Sequence, residues 1–521
     1  MVTHSAPAIV TSSTEAVSEA FTPSIQAGVS PRADLVAYLA SRRPLLIDGK
    51  WVEAASGRTF GTFNPATGGV LARVAEADVE DVNRAVLAAT RAFAGVWGRL
   101  TPADRSRMLW RFADLIEQHA DALATLESLD NGKPFATARH GDIPFAADTI
   151  RYMAGLARGR HGETVPLSAP FQPGQQYFAY TLKEPVGVVG QIIPWNFPIL
   201  MAAWKLGPAL AAGCTVLLKP AEQTPLTALY LGQLALEAGI PAGVVNVLPG
   251  FGETAGAAIA AHPGVAKVAF TGSTEVGKLI VRAAAGNLKK VTLELGGKSP
   301  NIILEDADVV AATQGAAGGI FFNSGQVCTA GSRLFVHDRH FDQVVDALVA
   351  GAKATRLGHG FDSQATLGPL VSREQLQRVS GYVDEAADQG GRAAVGGRRI
   401  DGPGYYYEPT VVLNTNPGHR IIREEVFGPV VAAIPFHDFE EVVTMANDTT
   451  YGLAAGVWTR DVQKAHRVAR ALQAGTVWVN TYHVYDNALP FGGYKQSGWG
   501  RELGRDALDP YTETKSVVLG L

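Results

Sequence analysis

Residues 186–223 read VGVVGQIIPWNFPILMAAWKLGPALAAGCTVLLKPAEQ, and the alternation within them decides the fold. A β-branched apolar run (Val186–Ile193) gives way to a turn bounded by Pro194 and Pro198. An Ala- and Leu-rich stretch of helical length (Leu200–Ala212) follows, then a second apolar run (Thr215–Leu218). Short apolar runs joined by helices are expected of parallel strands in a sheet covered on both faces. The unit recurs downstream, where the runs Val244–Leu248, Val268–Phe270 and Val291–Leu295 alternate with the helical stretches Leu226–Ala238, Glu253–Ala261 and Glu275–Ala285. The expected fold is α/β with a doubly wound parallel sheet, whose ligands bind outside the carboxyl ends of the strands.

From Ser299 onward the alternation resumes. Asn301–Leu304, Arg333–Val336, Val430–Pro435, Leu453–Thr459 and Thr476–Val479 read as strands. Asp338–Ala352, Phe439–Ala446 and Asp461–Leu472 read as helices, so a second α/β unit follows the first. Upstream, Ala77–Ala92 and Pro102–Leu129 carry amphipathic helical patterns, the latter with Leu109, Phe112, Leu115 and Ile116 on one face. Gln175–Lys183 and Thr512–Leu521 read as strands with no sheet at hand, which points to pairing with another subunit.

With 521 residues, of which 47% are hydrophobic and 18% charged, the chain is long and apolar enough for a compact soluble protein, and disorder throughout is excluded. Its 45 Lys+Arg against 49 Asp+Glu give a formal charge of -4, with no basic field to hold nucleic acid. Cys214 and Cys328, the two cysteines, cannot form a disulfide framework or a cysteine zinc site, and no other spacing supplies a metal site. Met1 to Pro31 lacks Lys and Arg, so residues 1–34 read as the flexible tail of a cytoplasmic protein rather than as a targeting segment. The uncharged stretches Pro185–Trp204 and Val309–Ser332 are interrupted by proline, asparagine, glutamine and glycine, so they read as buried interior and no membrane partner is expected.

Each strand end leads into a local cluster able to carry chemistry. Ile193 leads into Pro-Trp-Asn-Phe-Pro (194–198), Leu218 into Lys-Pro-Ala-Glu (219–222), Phe270 into Thr-Gly-Ser-Thr-Glu-Val-Gly-Lys (271–278) and Leu293 into Glu-Leu-Gly-Gly-Lys (294–298). A fifth cluster, Phe-Asn-Ser-Gly-Gln-Val-Cys-Thr-Ala-Gly-Ser-Arg (322–333), surrounds Cys328 with small and polar residues. Such surroundings suit a partly accessible thiol able to attack a carbonyl carbon, although a lone cysteine more often behaves as a small buried hydrophobe. That second reading fits Cys214, at the start of an apolar strand. Glu294 sits in a run that is otherwise buried, where a carboxylate either pairs with a lysine such as Lys298 or, desolvated, serves as a general base. Lys219 and Glu222 form either a solvated charge pair or a ribose-binding pair. Gly272 and Ser273, ahead of a helix at Glu275, suit a pyrophosphate. Gly250, Gly252 and Gly256 miss a dinucleotide fingerprint by one residue of spacing.

Together with Glu-Glu-Val-Phe-Gly-Pro (424–429) and Pro-Phe-Gly-Gly-Tyr-Lys-Gln-Ser-Gly (490–498), these clusters resemble the aldehyde dehydrogenase superfamily, in its NAD-dependent, non-acylating branch, from about Leu45 to the C-terminus. The resemblance implies a Rossmann-like cofactor domain (35–166 and 186–296), an α/β catalytic domain (297–509) and a small β flap for oligomerisation (167–185 and 510–521). It implies Cys328 as nucleophile, Glu294 as base and Asn196 as oxyanion donor, a contribution of about 3 kcal/mol in comparable sites. It implies NAD held by Ile192, Ile193, Pro194, Trp195, Lys219, Glu222, Gly252, Gly256, Phe270, Gly272, Ser273, Leu295, Gly296, Glu425 and Phe427. A carboxylate at Glu222 would repel the extra phosphate of NADP, which is the weaker alternative.

On the same resemblance the substrate tunnel is lined by Phe145, Phe197, Met201, Trp204, Val327, Thr329, Tyr485 and Phe491. Aromatic and free of Lys and Arg, that lining suits a flat or arylalkyl aldehyde. The segment 170–177 (Pro-Phe-Gln-Pro-Gly-Gln-Gln-Tyr) with Pro194 to Lys205 resembles bacterial phenylacetaldehyde dehydrogenases. The expected reaction is NAD-dependent oxidation of phenylacetaldehyde to phenylacetate through a cysteine thioester. The alternatives are a broad-range aliphatic or retinal-type enzyme, a coenzyme A-acylating enzyme, against which Glu294 argues, and a catalytically idle fold. The family implies a homo-oligomer, a tetramer built as a dimer of dimers.

Overall fold

The computed structural model describes residues 22–25, 33–159, 161–168 and 171–521. The expected tail, 1–34, lies for the most part outside the described residues, as does Pro170 of the 170–177 segment. Among the described residues no helix is long and apolar enough to cross a membrane.

An eight-stranded sheet runs in the spatial order Gly498–Trp499, Lys290–Glu294, Lys267–Thr271, Val188–Ile192, Thr215–Lys219, Val245–Val247, Leu45–Ile47, Lys50–Val52. The five strands from Lys290–Glu294 to Val245–Val247 are mutually parallel. Side chains alternate between faces as the pleat requires. Val188, Leu217 and Val268 pack with Val82, Val86 and Ile259 on one side. Val189, Val216 and Leu218 pack with Phe112, Ile150 and Leu206 on the other. Both faces are therefore dry, which is why these strands are readable as unbroken apolar runs. The chain order reverses between Val188–Ile192 and Lys267–Thr271, and at that switch point the helices leave on opposite faces and open a crevice.

The second sheet has seven strands in the order Arg392–Val395, Thr410–Leu413, Val430–Phe436, Arg333–His337, Pro300–Ile303, Ala454–Trp458, Thr476–Val479, parallel except for the first. Arg392–Val395 and Thr410–Leu413 were not foreseen in the sequence, nor were the short hairpins Leu45–Val52 and Thr59–Ala75. Two expectations are corrected. The Pro102–Leu129 pattern is two helices, Pro102–Gln118 and Ala120–Asn131, broken at His119, whose φ −98 and ψ 16 are not helical. The strands expected to lack a partner within the chain pair with each other, Tyr177–Pro185 against Thr512–Gly520, antiparallel from Thr512 opposite Pro185 to Gly520 opposite Tyr177. Thr164 bridges the other edge of Tyr177–Pro185 at Tyr180, so among the described residues it is the outer edge of Thr512–Gly520 that remains for another chain.

Candidate active site

A cleft of about 1130 Å³ opens at the switch point and is closed on its far side by the second sheet. Cys328, Asn196 and Glu294 all line it. Each is placed by a different piece of local structure.

Asn196 stands in the turn after Val188–Ile192, immediately before helix Pro198–Ala212. Its amide Nδ2 donates to the Gln326 carbonyl (2.9 Å). An amide nitrogen carries two hydrogens, so the fixed bond orients the side chain and leaves a second N–H for an oxygen in the cleft. Asn131 secures the turn from below, donating to the carbonyl of Trp195 (2.8 Å).

Cys328 follows a strained stretch. Asn323, Ser324 and Gly325 all have left-handed backbone (φ 49, 56 and 69), costly for the first two and natural only for the glycine. A Cβ at Gly325 would lie 1.9 Å from the Gly428 carbonyl. The strain is held by Ser324 Oγ donating to the Gly368 carbonyl (2.8 Å), Asn323 Nδ2 to the Asn196 carbonyl (3.1 Å), and Val371 N–H to Gln326 Oε1 (2.9 Å). Burial, with Glu425 and Glu294 nearby, pushes the thiol well above its ordinary range, while the N–H groups of Cys328 and Thr329 favour the thiolate. Cys214 is fully buried, its Sγ donates to the Tyr511 carbonyl (3.4 Å), and burial pushes its thiol up to about 11.

Glu294 ends the strand Lys290–Glu294 and is 4% exposed. Neither carboxylate oxygen has a hydrogen-bond partner in the protein, and the pair with Lys298 considered from the sequence is not formed. Desolvation and the Glu502 charge hold its proton affinity well above the carboxylate range, against Lys205 and Arg501. Lys205 ion-pairs with Glu502 and donates to Thr271 Oγ1 (2.5 Å). The double glycines gain a reason here. A Cβ at Gly297 would lie 2.4 Å from the Cys328 carbonyl, one at Gly296 would lie 2.1 Å from Glu425, and one at Gly492 would lie 2.9 Å from Glu294.

Of the residues expected to hold the dinucleotide, Pro194, Trp195, Gly272, Ser273, Leu295, Gly296, Glu425 and Phe427 line this cleft. Glu425 Oε1 accepts from the Gly297 N–H (2.9 Å), and burial pushes its carboxyl up to about 7. Trp195 and Phe427 meet edge to face at 5.2 Å. Ser273 caps helix Thr274–Ala284, presenting the helix N-terminus to the cleft. Ile192, Ile193, Lys219, Glu222, Gly252, Gly256 and Phe270 lie off the cleft, around the carboxyl ends of the neighbouring strands. Lys219 Nζ and Glu222 Oε2 form an ion pair (3.2 Å), but Lys219 is buried, so the pair is not the solvated one considered above.

Phe145, Phe197, Met201, Trp204, Val327, Tyr485 and Phe491 form a continuous wall. Trp204 meets Phe491 at 5.3 Å, Tyr485 at 6.4 Å and Phe145 at 6.2 Å, while Phe197 stacks on Phe322 at 6.1 Å. Thr329 is behind the wall, fully buried, bonded to the Tyr485 hydroxyl (2.7 Å). Sequence reasoning missed Phe322, Tyr482 and His483, which complete the wall, and Lys205 with Glu502. For Phe322, the signal was available in its place within the 322–333 cluster.

Residues 51–517 match the model of the aldehyde dehydrogenase family. The mitochondrial aldehyde dehydrogenase of Homo sapiens is 52% identical over 478 residues, 91% of this chain and 91% of that protein. The structure of an NAD+ complex of aldehyde dehydrogenase from Bacillus cereus superposes with a TM-score of 0.92 at 52% identity, covering 95% of this chain and 99% of that one. A mutant of the P. syringae indole-3-acetaldehyde dehydrogenase AldA in complex with NAD+ and IAA gives 0.89 at 46% identity, covering 92% and 96%.

Proposed function

Because this chain belongs to the aldehyde dehydrogenase family, we propose that it oxidises an arylalkyl aldehyde, phenylacetaldehyde in the first instance, to the carboxylic acid with NAD, through a thioester on Cys328. The observation that carries the reading is the convergence of a thiol, an oriented amide and an unpaired buried carboxyl on one cleft.

The residues present fit NAD. The helix N-terminus at Ser273 offers unpaired N–H groups to a pyrophosphate, and Gly272 keeps the approach clear. Lys219 and Glu222 suit ribose hydroxyls, and Glu425, with one oxygen held by Gly297, suits the second ribose. Residues 35–166 and 186–296 would carry the cofactor and 297–509 the nucleophile. When bound, NAD supplies the oxidant for the two-electron step.

The Cys328 thiol gives up its proton to water in the cleft and its Sγ attacks the aldehyde carbonyl carbon, and the oxygen that becomes negative is met by the free N–H of Asn196 and by the Cys328 backbone N–H. Donors placed where charge develops lower the barrier by about 3 kcal/mol each. After oxidation the acyl group remains on Cys328 as a thioester. Glu294, whose buried and unpartnered carboxylate has its proton affinity raised by desolvation and by Glu502, takes a proton from water, the acid leaves, and the thiol is restored. Hydrolysis by Glu294 argues against transfer to coenzyme A.

The aromatic wall, without Lys or Arg, supports an arylalkyl substrate, as does the indole-3-acetaldehyde dehydrogenase among the similar structures. A second reading, a broader aliphatic enzyme, is favoured by the 52% identity to the human mitochondrial protein. NADH formation with phenylacetaldehyde, benzaldehyde, hexanal, retinal and betaine aldehyde separates them. The account expects phenylacetaldehyde to have the highest kcat/KM without dependence on coenzyme A, and a lead for hexanal or betaine aldehyde would overturn it. Chromatography with light scattering tests the tetramer we also propose, for which the outer edge of Thr512–Gly520 is the support.

A further inference from the structure

Helical glycines usually have a local reason, because each costs about 1 kcal/mol relative to alanine. Gly141, in the π-helical turn Ala138–Asp142, and Gly318, in helix Val309–Phe321, have none. Neither has a left-handed backbone, and a Cβ built on either meets nothing within 4 Å. Both are exposed and both line the cleft. Each stands four residues before a ring of the aromatic wall, Gly141 in the turn that runs into the helix of Phe145 and Gly318 one turn ahead of Phe322, the C-cap of its helix, so a side chain at either would enter the cleft beside that ring. The same helix presents Ala311 and Gly315 to the cleft, again without bulk. Backbone and packing leave both positions indifferent to size, and the cleft is what a side chain there would fill.

We propose that Gly141 and Gly318 are specificity-determining residues that hold the substrate end of the cleft open for an aldehyde broader than a single ring, of the fused bicyclic arylalkyl class. The inference rests on the arylalkyl reading for its substrate class and on the open surroundings of the two glycines for its residues. A bicyclic body stacks on more of the wall than one ring does, and a short aliphatic aldehyde gains nothing from the extra width.

Steady-state kinetics of the full-length protein with NAD test it. The substrates are 2-naphthylacetaldehyde, phenylacetaldehyde and propanal, and the variants are Gly318→Phe, Gly141→Val and Gly155→Ala. Gly155 lies in helix Ile143–Leu156 with equally open surroundings but off the cleft, so it controls for stiffening the backbone. The ratio of kcat/KM for 2-naphthylacetaldehyde to that for propanal is expected to fall roughly tenfold or more in Gly318→Phe, by a smaller factor in Gly141→Val, and not at all in Gly155→Ala. A ratio unmoved in both cleft variants, or moved equally by Gly155→Ala, would overturn the proposal. The arylalkyl reading is judged separately, on the wild-type protein's preference between phenylacetaldehyde and hexanal, so the two can fail independently.

Discussion

The two cysteines share burial and differ in the groups that meet their thiols. Cys214 opens a central strand, is fully buried, and gives its hydrogen to the Tyr511 carbonyl. Cys328 ends a loop that keeps two non-glycine residues in left-handed backbone, faces the cleft, and has an amide and a carboxyl beside it. Burial raises both thiols, and at Cys328 the charges of Glu425 and Glu294 add to it. What separates them is the investment around the second: backbone strain, fixed hydrogen bonds and close glycine contacts that only the reaction justifies. A thiol becomes a nucleophile through the groups that meet it, and those lie on the switch point of the first sheet.

The largest effect expected of that contrast is from Cys328→Ala, which should lower kcat for aldehyde oxidation by about 10³-fold or more while NAD binding, read by fluorescence titration, persists. Glu294→Gln should come next, with steady-state turnover down by roughly 10² to 10³ but a first burst of NADH retained, because acylation does not need the base. Asn196→Ala should cost about 10²-fold in kcat through the lost oxyanion donor. Smaller again is a shift in pH dependence. Alkylation of Cys328 by iodoacetamide in the NAD-free protein should accelerate as pH rises towards the raised thiol pKa. Glu425→Gln, which removes a negative neighbour, should move that profile to lower pH. A profile moved upward would contradict the assigned electrostatics. Cys214→Ala should leave the rate intact and cost about 1 to 2 kcal/mol of stability by chemical denaturation, from the small cavity it leaves. Loss of activity there without unfolding would erase the contrast.

The readable parts of the molecule were those where one physical rule acted alone. Central strands such as Thr215–Lys219 are buried on both faces and show as apolar runs, and the turns after them concentrate the polar residues of the site. Arg392–Val395 was missed because it is a half-exposed edge strand with no apolar run. Leu45–Ile47 was missed because three residues are too few to show a period. Side-chain placement was less legible still. Lys133, fully buried, bridges Glu127 (3.2 Å) and Asp142 (2.5 Å), and nothing in the spacing of those charges distinguishes them from a solvated helix face. Thr329 is expected on the wall from the family resemblance, and the turn closed by the Ala330 N–H on the Val327 carbonyl puts it behind. The Gly296-Gly297 pair was recognisable as a motif. Its reason, the approach of Glu425 and of the Cys328 carbonyl, required the three-dimensional contact.

The most direct test is rapid mixing of Glu294→Gln with phenylacetaldehyde and NAD, followed by quench, proteolysis and mass analysis. The account predicts a burst of about one NADH per subunit and a phenylacetyl group on the peptide that contains Cys328. No burst, or an acyl group on Cys214 or on no cysteine, would contradict it.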